Sequence, residues 1–394
     1  MQADKANTGL ILSGGGARAA YQVGVLQEIE AMRRACSAQT GNPFDVICGT
    51  SAGAINASVL ACGADRFEDT LARLVEVWHN FRVHQVYRSD ILDMLRSGAR
   101  WLSLISLGWL ISHKRIRPKS LLDNAPLAEL LREHIDFGRL PQVLSQGHLQ
   151  ALAITASNYS TGEHVTFFQS EKDIRNWVRN QRLAMRCELQ HEHLLASSGI
   201  PFIFPAARLE GPNGSAWFGD GAMRQTAPIS PAIHLGAQKI LVIGAGRMHE
   251  PKSAQAPNAA DYPSMASIAG HALSSIFLDA LAVDVERLQR INKTLSLIAP
   301  EYRDKSNLRP VDLLVISPSE RLDEIAVRHA DHLPSTVQNM LQVLGSSPQS
   351  GVSQSGAFIS YLMFESVYTQ ELMALGRKDA RAKATEIHKF FAWA

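Results

Sequence analysis

Two short apolar runs near the start of the chain each break at glycine and pass directly into a helical pattern. The first is Leu10-Ile11-Leu12-Ser13, which leads into Gly14-Gly15-Gly16-Ala17-Arg18 before Ala19 to Cys36 takes up helical spacing through Tyr21, Val25, Ile29 and Met32. The second is Phe44-Asp45-Val46-Ile47-Cys48, followed by Gly49-Thr50-Ser51-Ala52-Gly53 and a small-residue helix from Ala52 to Cys62. Further apolar strands are expected at Leu149–Thr155, Lys239–Gly244 and Val311–Ser317, with helical stretches between them. That alternation predicts an α/β fold with one mainly parallel central sheet and helices on both faces. A hairpin-like segment, Glu163–Gln169, is expected to pair beside the third strand, and no strand is expected beyond Ser319.

The glycine junctions carry chemistry as well as topology. A serine framed by glycines between a strand and a helix forms a nucleophile elbow, and the helix N-terminus behind Ser51 favours negative charge developing there. Three successive glycines at 14–16 expose backbone N–H groups that can hold an oxyanion, each worth about 3–4 kcal/mol to acyl transfer. Gly14, Gly16 and Ala19 also satisfy a dinucleotide-binding fingerprint, but the second strand ends in Cys48-Gly49 rather than in the acidic residue that would hold a ribose. No phosphate-cradling G-x-x-x-x-G-K-[ST] run occurs. A third motif, Trp217-Phe218-Gly219-Asp220-Gly221-Ala222, sets one carboxylate between two glycines, where the chain can turn sharply and aim it into a crevice.

A glycine-rich amide loop, a serine elbow and a D-G-A turn, in that order, resemble the motifs of the patatin-like phospholipase family over roughly Gly9 to Ile243. The resemblance implies a three-layer α/β/α fold. It implies that Ser51 is the nucleophile and Asp220 its proton acceptor in a Ser-Asp dyad, with Gly14, Gly15, Gly16 and Arg18 forming the oxyanion loop. Ala19 departs from the pattern, standing where many relatives have a last glycine. The implied activity is that of a carboxylic ester hydrolase cleaving fatty-acyl esters of lipids through an acyl-enzyme, with no cofactor and no metal. From the residues themselves, Gly356–Ala374 and Asp379–Trp393 read as amphipathic helices, which sets the expected boundaries at a hydrolase domain over 1–318 and a helical C-terminal extension over 319–394 packed on the core.

Other readings of the same residues stay open at this stage. His234, His271 and His329 follow Asp220, so a Ser-Asp-His order is formally available, although Ser51 follows only the second strand, earlier than in α/β-hydrolases. The same serine could serve an acyltransferase, and a nonenzymatic membrane-associated or nucleotide-binding protein is the remaining class. Cys36, Cys48, Cys62 and Cys187 show no metal-ligand spacing and read as free thiols, and the polar start has no secretory apolar run, so a cytoplasmic location is expected.

A net charge of +2 says little about partners, and no arginine-rich tract or aromatic-basic platform points to nucleic acid. Between Arg96 and Lys119 there are six Lys/Arg and no Asp/Glu, around the apolar block Trp101–Ile111. That block is too short to span a bilayer and fits either a buried helix or a peripheral patch facing a membrane surface. Phe202 and Phe204 are expected in the core or along an acyl pocket, and 246–263 and 345–356 as loops.

Overall fold

The computed structural model describes residues 6–36, 40–88, 120–211, 214–248, 265–276, 280–303, 305, 308–343 and 356–393. The basic apolar block at 101–119 lies outside these residues, as do most of the two expected loops. The strands are β1 (Thr8–Leu12), β2 (Val46–Thr50), β3 (Ala151–Asn158), β4 (His164–Ser170), β5 (Val178–Arg179), β6 (Arg182–Arg186), β7 (Ala207–Gly211), β8 (Gly214–Asp220), β9 (Lys239–Ile243) and β10 (Asp312–Ile316). The helices are α1 (Ala20–Ala35), α2 (Ala52–Cys62), α3 (Phe67–His79), α4 (Ala125–His134), α5 (Leu140–Ser145), α6 (His191–Ser197), α7 (Ser230–His234), α8 (Met265–Ser274), α9 (Ala280–Leu297), α10 (Pro300–Arg303), α11 (Leu322–Arg328), α12 (Ser335–Val343), α13 (Gly356–Leu362), α14 (Ser366–Ala382) and α15 (Ala384–Phe391).

One mixed sheet runs in the order β10-β9-β1-β2-β3-β4-β6-β5, and from β10 to β3 every neighbour is parallel. Its strands are near-continuous apolar runs because both faces are covered. The alternation along them assigns the faces. Leu10, Leu12, Ile47, Leu241 and Ile243 join one core cluster with α1, α2, α3 and α14, whereas Ile11, Val46, Cys48, Ile240 and Val242 join a second with α7 and α9. The result is a helix–sheet–helix sandwich with its thicker helical layer on the first face.

Beyond β3 the sheet changes character. β4 and β8 both pair antiparallel with β3, and β7 pairs antiparallel with β8. The sequence pattern anticipates β4 but not β5, β6 or β7, which are short or half-exposed and carry little periodic signal.

The C-terminal helices are stitched into the first core cluster. Tyr21 of α1 donates to Asp379 of α14 at 3.0 Å, and Arg381 donates to Glu28 at 2.7 Å. The expected helix over Gly356–Ala374 is broken at Met363–Glu365, because Glu365 leaves the helical path to accept from the Val83 N–H at 3.2 Å and from Arg82 at 3.1 Å. Among the described residues no helix is long and apolar enough to cross a membrane.

Candidate active site

The register of β3 brings Ser51 and Asp220 together. β2 runs parallel to β3 and ends at Thr50 opposite Thr155, while β8 runs antiparallel along the same edge and ends at Asp220 opposite Ala156. The two strands therefore meet end to end on adjacent rungs. Residues separated by 169 positions in sequence become neighbours, and Ser51 Oγ donates to Asp220 Oδ2 at 2.6 Å.

Both groups are withdrawn from water, Ser51 at 1% and Asp220 at 0% exposure. Burial pushes the Asp220 carboxyl up to about 7 from its usual 3.8, against the opposing pull of hydrogen bonds from Ser51 and from the Ala222 N–H at 2.9 Å. A carboxyl that titrates near neutral pH and contacts a hydroxyl has the proton affinity that a general base requires.

The elbow is built under strain. Ser51 sits at φ 56° and ψ −131°, a combination that costs a side-chain-bearing residue about 1–3 kcal/mol and persists only where its surroundings enforce it. Part of that enforcement is the close approach of α2 to β1: a Cβ on Gly53 would lie 2.3 Å from the Leu12 carbonyl oxygen. Another part is Ser197 at the end of α6, which the sequence reading passes over. Its Oγ accepts from the Ser51 N–H at 2.8 Å and donates to the Thr155 carbonyl at 2.6 Å, while the Gly199 carbonyl two residues on accepts from the Asp220 N–H at 3.0 Å.

One short turn therefore grips both members of the pair. Ser197→Ala should leave the buried Ser51 N–H without its acceptor, lower unfolding free energy by about 1–3 kcal/mol in denaturant titration, and reduce kcat more than it raises KM. Unchanged stability and turnover would show that the elbow does not depend on this hydroxyl.

Ser51 lies on the wall of a cavity of about 370 Å³. The cavity follows one face of α2 through Ile55, Val59 and Cys62, and Trp78, Leu131 and Phe204 add apolar wall. Its far rim carries Arg66, Arg73, Glu133, His134, Asp136 and Arg139. Phe202, by contrast, is 72% exposed: a left-handed φ of 66° turns its ring outward, while the adjoining backbone carbonyls pair with Leu121 and Leu122.

Of the glycine-rich loop, Gly16 lines the cavity beside Ser51, whereas Gly14 and Gly15 do not. Arg18 is buried and aimed elsewhere, with its Nε donating to Ser360 Oγ at 2.8 Å. Two of the three candidate histidines are engaged by other residues, and the third is exposed. His234 stacks on Trp177 at 4.9 Å, His329 is bound to Glu371 at 2.5 Å, and His271 is exposed on α8. None is hydrogen-bonded to Ser51 or Asp220.

Comparison with curated protein sequences finds no match. Among solved structures, similarity is found to human GIVD cytosolic phospholipase A2 (11% identity, TM-score 0.40, 100% of this chain and 62% of that one). It is found also to VipD from Legionella pneumophila (14% identity, TM-score 0.31, 94% and 67%). The type III effector protein ExoU, from Pseudomonas aeruginosa, is similar at 14% identity and TM-score 0.27 (98% and 88%). This chain spans less than two thirds of the human protein's length. The sequence profile described as "Patatin-like phospholipase" matches residues 10–233, more than half of the chain, and that stretch contains the glycine-rich loop, Ser51 and Asp220. The chain belongs to the patatin-like phospholipase family.

Proposed function

We propose that the protein is a serine lipid acyl hydrolase that cleaves fatty-acyl esters with Ser51 as nucleophile and Asp220 as general base. The observation that carries this reading is the 2.6 Å contact between a buried, strained serine and a buried carboxylate at the head of an apolar cavity. Family membership supports the coarser statement, a lipid hydrolase.

In the proposed reaction Asp220 Oδ2 takes the Ser51 proton as Oγ attacks the ester carbonyl. The oxyanion of the tetrahedral intermediate faces the Gly16 amide and the N–H of Ala52, which opens α2 and so has no acceptor within the helix. The proton held by Asp220 then passes to the departing alcohol. Water, deprotonated in turn by Asp220, attacks the acyl-enzyme, releases the fatty acid and restores the serine.

The cavity supports an acyl-chain role. α2 has 11 residues, so at 1.5 Å per residue the wall from Ser51 to Cys62 extends about 16 Å. With carbon–carbon bonds of about 1.5 Å in zigzag, that length holds an extended chain of about a dozen carbons before the polar rim.

Incubation with a fluorophosphonate probe, followed by peptide mapping, should modify Ser51 alone. Ester hydrolysis should rise from acetyl to medium-chain substrates as methylenes enter the cavity, each adding about 0.8 kcal/mol of favourable transfer. A wild-type protein that the probe leaves unmodified at Ser51 would refute the nucleophile assignment.

A further inference from the structure

The family match ends at residue 233, yet part of the Ser51 site is made by residues 356–365. Gly16 sits at φ +55°, and a Cβ there would lie 2.3 Å from the Tyr361 carbonyl oxygen, so the loop backbone rests directly on that of α13. Arg18, 4% exposed, completes the contact: besides its bond to Ser360 Oγ, its guanidinium lies 4.2 Å from the centre of the Tyr361 ring. Ser360 Oγ donates to the Ala357 carbonyl at 2.6 Å, which leaves its lone pairs for Arg18. The segment is anchored beyond the loop as well. Leu362 O accepts from Tyr87 OH at 3.1 Å, and Phe364 packs 5.6 Å from Phe81 on the cavity wall.

Two costs in this arrangement explain each other. Burying a guanidinium is expensive, and each of three successive glycines has more conformational freedom to lose than a residue with a side chain would. A cation fixed on an aromatic face and a hydroxyl, two residues after Gly16, removes that freedom at the loop whose amides must be aligned before reaction.

We propose that Arg18 is a positioning residue that clamps the glycine-rich loop onto Ser360 and Tyr361, so that the C-terminal segment Gly356–Glu365 preorganises the oxyanion donors of the Ser51 site. The inference rests on the reading of Ser51 as the nucleophile. It assigns Arg18 a partner inside the protein rather than on the substrate, and it makes residues far beyond the matched region necessary for turnover.

The test uses full-length Arg18→Met, Tyr361→Leu and Ser360→Ala with a soluble short-chain ester, and Leu372→Ala as a control on α14. Leu372 is fully buried in the same helical layer but does not line the cavity. Arg18→Met and Tyr361→Leu should each lower kcat about 10- to 100-fold with KM within about twofold, because oxyanion donors act in the transition state. Together they should cost little more than either alone, since both remove one clamp. Ser360→Ala, which deletes a single acceptor, should show a smaller loss of the same kind. Leu372→Ala should lower the melting temperature and leave kcat unchanged.

Retention of kcat in Arg18→Met would overturn the proposal, as would a raised KM at constant kcat or an equal loss of kcat in Leu372→Ala. Hydrogen–deuterium exchange keeps the clamp separable from the chemistry. Protection of residues 13–18 should fall in Arg18→Met even if wild-type Ser51 proves unreactive, an outcome that would sink only the nucleophile reading. Unaltered protection would sink the clamp.

Discussion

Ser51→Ala is expected to reduce ester hydrolysis by about five to six orders of magnitude, to the level left by binding and oxyanion donors alone. The substitution removes one oxygen. Because alanine keeps the Cβ, the strained backbone at φ 56° is unchanged, and circular dichroism and melting behaviour should stay close to those of the wild type. Fluorophosphonate labelling should disappear with the activity. If the alanine variant kept turnover near that of the wild type, another residue would have to be the nucleophile, and the cavity beside Ser51 would have to serve a different purpose.

Asp220→Asn is expected to lower kcat by about 10⁴-fold, since an amide can hold the serine hydroxyl in place but cannot take its proton. Single substitutions of His234, His271 or His329 should leave kcat within a fewfold. The same carboxylate sets the pH dependence. Asp220 must be ionised to act as a base, so wild-type kcat/KM should climb with pH through about 7, where burial has placed its titration.

Stability should move in the opposite sense. In the unfolded chain the carboxyl ionises from about pH 4, whereas in the folded chain it holds its proton until about 7, so its favourable contribution is complete below 3.8 and is lost as pH rises to 7. Replacing it with asparagine removes that penalty, on the order of 4 kcal/mol, and the variant should unfold at higher denaturant than the wild type at pH 8. A flat kcat/KM profile between pH 5 and 8, on the order of the window expected for such a base, would mean that the proton goes elsewhere.

Much of the site's parts could be read from the sequence because each depends on local backbone chemistry. The elbow needs small residues on both sides of Ser51, and α2 begins and ends at the expected residues, Ala52 and Cys62. β1, β2 and β9 stand out as apolar runs since parallel strands covered on both faces are built mostly from apolar side chains. The same logic fails for β5, β6 and β7, whose short and half-exposed stretches owe their conformation to pairing with neighbours rather than to their own pattern. It fails also at Met363–Glu365, where helical spacing continues in the sequence but bonds from Arg82 and Val83 to Glu365 interrupt the helix. Arg18 falls within the glycine-loop motif, yet its neighbour turns out to be Tyr361, 343 residues away, and no local pattern specifies that contact.

The sequence by itself determined the alternation of strand and helix and the two glycine junctions, because these rest on periodicity and on dihedral angles that only certain residues permit, whereas Asp220 was matched to Ser51 only through the resemblance of three motifs to a family. The tertiary structure alone decided that β2 and β8 meet end to end along β3, that Ser197 holds the elbow, that burial pushes Asp220 up to about 7, and that α13 supports the glycine-rich loop. Each of these depends on pairings between distant segments and on the exclusion of water from the space they enclose, and both exist only once the chain has closed on itself.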